Sequence, residues 1–221
     1  AFNEDAAGTI QKWCFDLAAL PEEVGKHWIY HEASLLNDDI KLINRIENIA
    51  PFHKGFRELA ECLNRTAGQL LGEDAVLFKD KINFKMPGGD GFKPHQDVQA
   101  GWGNYASYFV SVMVCIDVAN IENGCLQLAP RLNKELVGDE WKPLTNAQTL
   151  LMDFKHYPTA PGDVIYFDSY VAHASEPNLS NKTRRLYFAT YNRLSEGNNL
   201  RSYFDAKRQS FPPDIERELG K

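Results

Sequence analysis

The stretch FKPHQDVQ places His95 and Asp97 two residues apart, with Gln96 between them. On extended backbone, residues i and i+2 share a face. An imidazole nitrogen and a carboxylate oxygen can therefore be aimed at one point. A further donor lies far downstream, His173 in FDSYVAHASEPN. Two histidines and one carboxylate make a facial triad, three donors on one face of an octahedral ion with three positions left open. Nitrogen and oxygen donors without a thiolate suit Fe(II). Open positions suit an oxygenase, because cosubstrate and O2 must both reach the metal. HxD alone is common by chance, and the plain alternative is a surface strand with polar residues. His27, His31, His53 and His156 have no partner at ligand spacing and are expected to be structural or exposed.

A second chemical signal follows His173. Arg184 stands eleven residues on, in NKTRRLYFATYN. A strand starting there sends Arg184, Leu186, Phe188 and Thr190 to one face and Arg185, Tyr187 and Ala189 to the other. An inward arginine is costly to bury alone, and the far carboxylate of a dicarboxylate would satisfy it by a bidentate contact. Arg185 reads as an ordinary surface arginine.

The elements that must carry these residues change character along the chain. Residues 1–75 read as a helical support region. DAAGTIQKWCFDLAAL has apolar residues near helical spacing and stops at Pro21. LLNDDIKLINRIENIA repeats Leu36, Ile40, Ile43, Ile46 and Ile49 at steps of three to four and stops at Pro51. KGFRELAECLNRTAGQLLG ends at Gly72, a C-cap candidate. From 76 to 221 the pattern is of strands: VLFKDKINFKM, YFVSVMVCIDV, GDVIYFDSYVAHAS and RRLYFATYNRL, separated by Gly, Pro, Asn and Ser turns. Helices followed by short strands indicate an α+β, mainly β fold, a β-sandwich or barrel flanked by helices.

With 221 residues, 43% of them hydrophobic, the chain can bury a sizeable core as one structural domain. Its net charge of -6 argues against nucleic-acid binding. No apolar run is long enough to span a membrane, and no signal peptide is visible. The scattered Cys14, Cys62, Cys115 and Cys125 show no CxxC spacing, which points to a reducing, cytoplasmic compartment. The oligomeric state is not legible.

Taken together, LFKDKINFKMPGG, PHQDVQAGW, NGCLQLAP and APGDVIYFDSYVAHASEPNLSNKTRRLYFATYN resemble the phytanoyl-CoA dioxygenase family of Fe(II)/2-oxoglutarate-dependent oxygenases, over roughly residues 77–192. The resemblance implies a double-stranded β-helix, or jelly roll, buttressed by N-terminal helices. It implies His95, Asp97 and His173 as iron ligands, Arg184 as the anchor of the distal carboxylate of 2-oxoglutarate, and Ser175 as a hydroxyl assisting that grip. KDKINFK is similar to the stretch in ectoine hydroxylases that gives a polar side chain and an asparagine to the cosubstrate, here Lys79 and Asn83. Those enzymes carry glutamine where Lys79 stands. Lys81 falls on the substrate side. Asp97 fills the position that related halogenases leave to a small residue, which disfavours halogenation. The implied reaction uses Fe(II), 2-oxoglutarate and O2, hydroxylates an unactivated C–H, and releases succinate and CO2.

Lys79, Lys81 and Lys85 alternate on one strand face. A lysine facing the pocket favours a small anionic substrate: a phosphonate, phosphate ester or carboxylate. The same stretches are similar to family members acting on 2-aminoethylphosphonate-type compounds. Lys85, at the strand end, can equally point to solvent. Gln99, Trp102 and Tyr105, in VQAGWGNYASY between Gly101 and Gly103, are placed at the barrel mouth as substrate contacts, with Trp102 equally able to pack on the core. IENGCLQLAP is read as a turn at Asn123-Gly124 leading into a strand. Two other classes compete: a cupin-like metal-binding or sensing protein without turnover, and a zinc hydrolase using the same triad. The first has no use for Arg184, and for the second no general base stands beside the triad and the resemblance opposes it.

Overall fold

The structure, a computed structural model, describes residues 1–130 and 134–219. Helix α1 (Glu4–Ala18) is capped by the Asn3 side chain, which accepts from the Ala6 N–H at 3.0 Å. Strands β1 (Trp28–Ser34) and β2 (Asn37–Glu47) form an antiparallel hairpin. Helix α2 (Lys54–Leu71) follows, closed by Gly72 at φ 81°, the left-handed cap its position predicts.

Then come β3 (Ala75–Lys85), β4 (Phe92–His95), β5 (Phe109–Cys115), β6 (Leu126–Ala129) and the short helix α3 (Asn146–Thr149). Strands β7 (Lys155–Tyr157), β8 (Val164–Asp168), β9 (Ala172–Ser175) and β10 (Arg184–Arg193) complete the sheets. Helices α4 (Leu200–Ser210) and α5 (Asp214–Leu219) end the described chain.

The strands make two antiparallel sheets. One has the order β1-β2-β3-β10-β5-β8 and the other β4-β9-β6-β7. From β3 to β10 the chain alternates between the two sheets, apart from the β6–β7 hairpin, which makes the pair a double-stranded β-helix, or jelly roll.

Strand alternation divides the core. Val112 and Val114 of β5 and Tyr187 and Ala189 of β10 point outward and pack with Ile10, Leu17, Phe56, Leu59 and Leu63 of α1 and α2. Met113, Cys115, Leu186 and Phe188, one residue out of phase, point inward and meet Leu126, Leu128 and Phe167. The helices thus cover one face of the large sheet and leave its other face for the site.

The 36–49 segment corrects the helical expectation: most of it is β2, part of the same large sheet. Two register shifts in the β1–β2 ladder, at Tyr30/His31 and Ala33/Ser34, break the alternation. The outer half of β2 is exposed. Its apolar residues therefore never reach period two, and Ile46 and Ile49 are the members of the series that are fully buried.

Candidate active site

His95 ends β4 and lies opposite His173 of β9 in the antiparallel ladder. This pairing brings their ring centroids to 4.2 Å. Gln96 stays extended at φ -109°, ψ 137°, and Asp97 then begins a 3-10 turn, Asp97–Ala100. The i, i+2 relation survives, although Asp97 itself lies just past the strand. One nitrogen or oxygen from each of His95, Asp97 and His173 falls within 4.8 Å of the others, a grouping able to hold a metal ion.

The second nitrogen of each ring is fixed. His95 Nδ1 lies 2.7 Å from the Lys93 carbonyl and His173 Nδ1 lies 3.0 Å from the Val171 carbonyl. A carbonyl only accepts, so each Nδ1 carries the proton and each Nε2 presents its lone pair. Burial and the neighbouring His173 push His95 well below the usual histidine range, favouring the neutral, ligating form. Burial alone would raise Asp97, but His173, Lys81 and His95 outweigh it and hold the carboxylate ionised. Ser111 donates to Asp97 Oδ2 at 2.8 Å, and Asp97 Oδ1 faces His173 Nε2 at 3.8 Å.

The triad opens into a cavity between the sheets. The large sheet supplies Lys79, Lys81 and Asn83 from β3, Ser111 from β5, and Arg184, Leu186, Phe188 and Thr190 from β10. The expected inward face of β10 is thus present residue for residue. Ladder pairing arranges these side chains in rows: Lys85 with Arg184, Asn83 with Leu186, Lys81 with Phe188, Lys79 with Thr190. Arg184 and Lys79 therefore stand three rows apart, toward opposite ends of the pocket.

Arg184 is 2% exposed. Its Nη2 donates to the Gly124 carbonyl at 2.9 Å, and its Nε has no partner among the described residues. No carboxylate there forms an ion pair with it, and burial pushes its pKa down to about 10. Gly124, in the NGCLQ stretch, has φ 72°. A Cβ there would strike the Glu176 carbonyl and stand 2.9 Å from Lys85 Nζ, so only glycine fits. That stretch does form a turn leading into β6, as its sequence indicates.

Arg185 points the other way and makes a two-pronged contact with Asp117, Nε at 2.6 Å and Nη2 at 2.8 Å. It is half-buried and paired, which corrects its reading as an ordinary surface residue. Lys85 is also corrected as a solvent-facing candidate: it is 0% exposed and donates to Ser175 Oγ at 2.7 Å.

The cavity gathers His95, Asp97, His173, Arg184, Ser175, Asn83, Lys79, Lys81 and Trp102. Trp102 does both things expected of it, lining the pocket while packing edge-on against Phe78 and Phe109. Gln99 and Tyr105 lie outside the lining, which corrects their expected substrate contacts. The Gln99 amide is spent on backbone: it accepts from Gln96 N at 2.7 Å and donates to the Asp139 and Lys142 carbonyls, each at 2.7 Å. Tyr105 packs against Phe78 with the rings tilted and edge-on against Tyr203.

Several lining or supporting residues escape the sequence reading. Ser111 had a signal, as the single hydroxyl in the apolar strand FVSVMVC. Tyr203 had none. Its hydroxyl accepts from Lys79 at 3.0 Å across a separation of 124 residues. Of the remaining histidines, His53 caps α2 and His31 pairs with Asp214.

The fold and the constellation are those of a non-haem, facial-triad oxygenase scaffold. The family model for phytanoyl-CoA dioxygenase (PhyH) matches residues 5–186, and the chain belongs to that family. It is 41% identical over 223 residues to a 2-aminoethylphosphonate dioxygenase from Uncultured bacterium HF130_AEPn_1, covering 99% of this chain and 85% of that protein. It is 33% identical over 213 residues to a methylphosphonate hydroxylase from Gimesia maris, covering 95% of this chain and 80% of the other. Among solved structures, EctD from S. alaskensis with 2-oxoglutarate and 5-hydroxyectoine superimposes with a TM-score of 0.75 at 23% identity, over 88% of this chain and 70% of that one.

Proposed function

We propose that the chain is an Fe(II)- and 2-oxoglutarate-dependent dioxygenase that hydroxylates a small anionic molecule, an aminoalkylphosphonate fitting the site best. The carrying observation is Arg184, a cation buried in the triad's own cavity with an unpartnered Nε and no carboxylate of the described chain to neutralise it. A metal-binding protein without turnover, or a zinc hydrolase, has no need of it. The donor set fits Fe(II). Unpaired Arg184 Nε, Asn83 Oδ1 and Trp102 Nε1 fit polar ligands filling the cavity on both sides of the triad.

His95, Asp97 and His173 would hold the ion, with Arg184, Ser175 and Asn83 toward the cosubstrate. The bound iron, 2-oxoglutarate and O2 supply the oxidising chemistry, in which the cosubstrate leaves as succinate and CO2 and a substrate C–H becomes C–OH. The protein's work is orientation. The Nδ1 bonds fix both imidazoles and Ser111 holds Asp97.

Lys81 serves the substrate in this reading, and Lys79, which the resemblance assigns to the cosubstrate, stands three rows from Arg184 and joins Lys81 there. Burial, with Lys79 adding, pushes Lys81 down to about 8, and it has no hydrogen-bonding partner among the described residues. A bound anion relieves that cost. The 2-aminoethylphosphonate and methylphosphonate named for the two relatives carry such a group. The acidic balance of the chain supports a reading without nucleic-acid partners, and a cytoplasmic location belongs to the same proposal. No helix of the described residues is long and apolar enough to cross a membrane.

The test is O2-dependent succinate formation by iron-loaded protein, with and without 2-aminoethylphosphonate. Stimulation by the phosphonate supports the reading. No 2-oxoglutarate turnover under any condition rejects it.

A further inference from the structure

We propose that Lys85 is a positioning residue for the cosubstrate: acting through Ser175 it turns a hydroxyl proton into the pocket beside Arg184, and it takes up a proton when the dicarboxylate binds. This rests on the reading of 2-oxoglutarate as the ligand of Arg184.

The geometry sets out the chain of contacts. Lys85 is the ladder partner of Arg184, so two cations stand side by side at one end of the cavity. Lys85 Nζ donates to Ser175 Oγ at 2.7 Å and also to the Glu176 carbonyl. Ser175 lines the cavity with Arg184, while Lys85 itself lies behind them. A serine hydroxyl has a single proton and two lone pairs. With Lys85 donating to Oγ, that proton is left over, and the cavity is where an acceptor would meet it. A carboxylate at Arg184 would accept from both residues. Without a proton on Lys85 the pattern can reverse, Ser175 donating to the amine, and the pocket loses that donor.

The charged groups around Lys85 come from four elements. Arg184 on β10 opposes its charge. Glu32 on β1, Glu176 just past β9 and Asp90 in the β3–β4 turn favour it. None of the three carboxylates forms an ion pair with it among the described residues. Burial dominates, with Arg184 adding, and pushes Lys85 down to about 6. A dianion at Arg184 reverses that balance and raises it. The sign follows: between about pH 6 and the ligand-bound value, cosubstrate binding takes up a proton and affinity falls as pH rises, by at most about tenfold per unit. Below about pH 6 Lys85 is charged in both states and this dependence flattens.

The experiment is calorimetric binding of 2-oxoglutarate to anaerobic, Fe(II)-loaded protein without substrate. It runs from about pH 6 to about pH 8.5 in two buffers that differ in protonation enthalpy. The wild type should take up a fraction of a proton approaching one. Lys85→Met should abolish that uptake and flatten the pH profile. Lys85→Arg should abolish the uptake yet keep tight binding, because arginine stays charged. Buffer-independent heats in the wild type, or a Lys85→Met variant with the wild-type pH slope, would overturn the role of Lys85. Buffer-independent heats in the wild type overturn the role of Lys85 even if the variants fail to fold. Absence of any 2-oxoglutarate binding to the wild type would instead overturn the cosubstrate reading, and this inference with it.

Discussion

Ser111 and Asp97 are joined by a 2.8 Å hydrogen bond that occupies Oδ2 of the carboxylate, and the same serine lies 3.2 Å from Thr190 Oγ1. The bond fixes which oxygen faces the two histidines. Loss of a partner that orients a ligand typically costs about 10–100-fold in metal affinity, and Ser111→Ala should fall in that range. His95→Ala and His173→Ala should lose iron and all coupled turnover. Asp97→Ala should retain weak metal binding without hydroxylation. Anaerobic Fe(II) titration checks all four; unchanged affinity in Ser111→Ala would show that the bond has no part in holding the ligand.

Adjacent arginines should fail in different ways. Arg184→Ala removes the guanidinium that lines that end of the pocket, and truncating one partner of a buried charge pair costs on the order of 2–5 kcal/mol. It should raise the 2-oxoglutarate requirement sharply while leaving the thermal midpoint near wild type. Arg185→Ala breaks the contact to Asp117, which itself accepts from the Arg185 backbone N–H at 2.9 Å. Its penalty should appear in stability, with little change in 2-oxoglutarate KM. The opposite assignment of the two defects would mean the β10 register is off by one residue.

The contrast between these arginines shows what the sequence makes legible. Period-two alternation allows only two registers, so placing Arg184 inward also placed Leu186, Phe188 and Thr190. The triad was legible for a similar reason: its chemistry restricts the residue types, and HxD needs only locally extended backbone. The β1–β2 hairpin was not, because its bulges shift the parity and its exposed outer half buries no regular face. Gln99 looked available because its partners, the 139 and 142 carbonyls, come from a loop some forty residues away. Lys85 looked solvated because its cover is the backbone at Glu176 and the bare Gly124, both remote in the chain.

Glu47 links the end of β2 to helix α4. One oxygen accepts from Arg45 Nε at 2.7 Å and the other from Lys207 of α4. Burial alone would raise its pKa, but Lys207, Lys79 and Arg45 outweigh it and hold the carboxylate well below the usual glutamate range. A depressed folded-state value means the contribution is complete above the unfolded value and is lost as pH falls through the folded one. Glu47→Gln should cost about 3–5 kcal/mol near neutrality and less in acid. Urea midpoints for both proteins at neutral pH and at about pH 3 or below, under the unfolded carboxylate range, would test this. A penalty of equal size at both would show the loss to be one of packing.

The substrate end of the pocket gives the sharpest discrimination. Lys81 lies between Lys79 and Asn83 on the cavity face of β3, its ammonium 5.4 Å from the Phe188 ring centroid and without an ion-paired carboxylate among the described residues. A ring face offsets part of the desolvation cost of a cation, about 2 kcal/mol at best, so an anionic ligand still has most of the interaction to gain. Substrate-stimulated succinate formation should therefore rank aminoalkylphosphonates above phosphate esters and amino acids, with neutral apolar compounds inert. Lys81→Met should raise the phosphonate KM by one to two orders of magnitude, about 1.4–2.8 kcal/mol, and leave the 2-oxoglutarate requirement near wild type, since the cosubstrate's carboxylate belongs to Arg184. Stimulation confined to neutral compounds, or an unchanged phosphonate KM in Lys81→Met, would remove Lys81 from the substrate site.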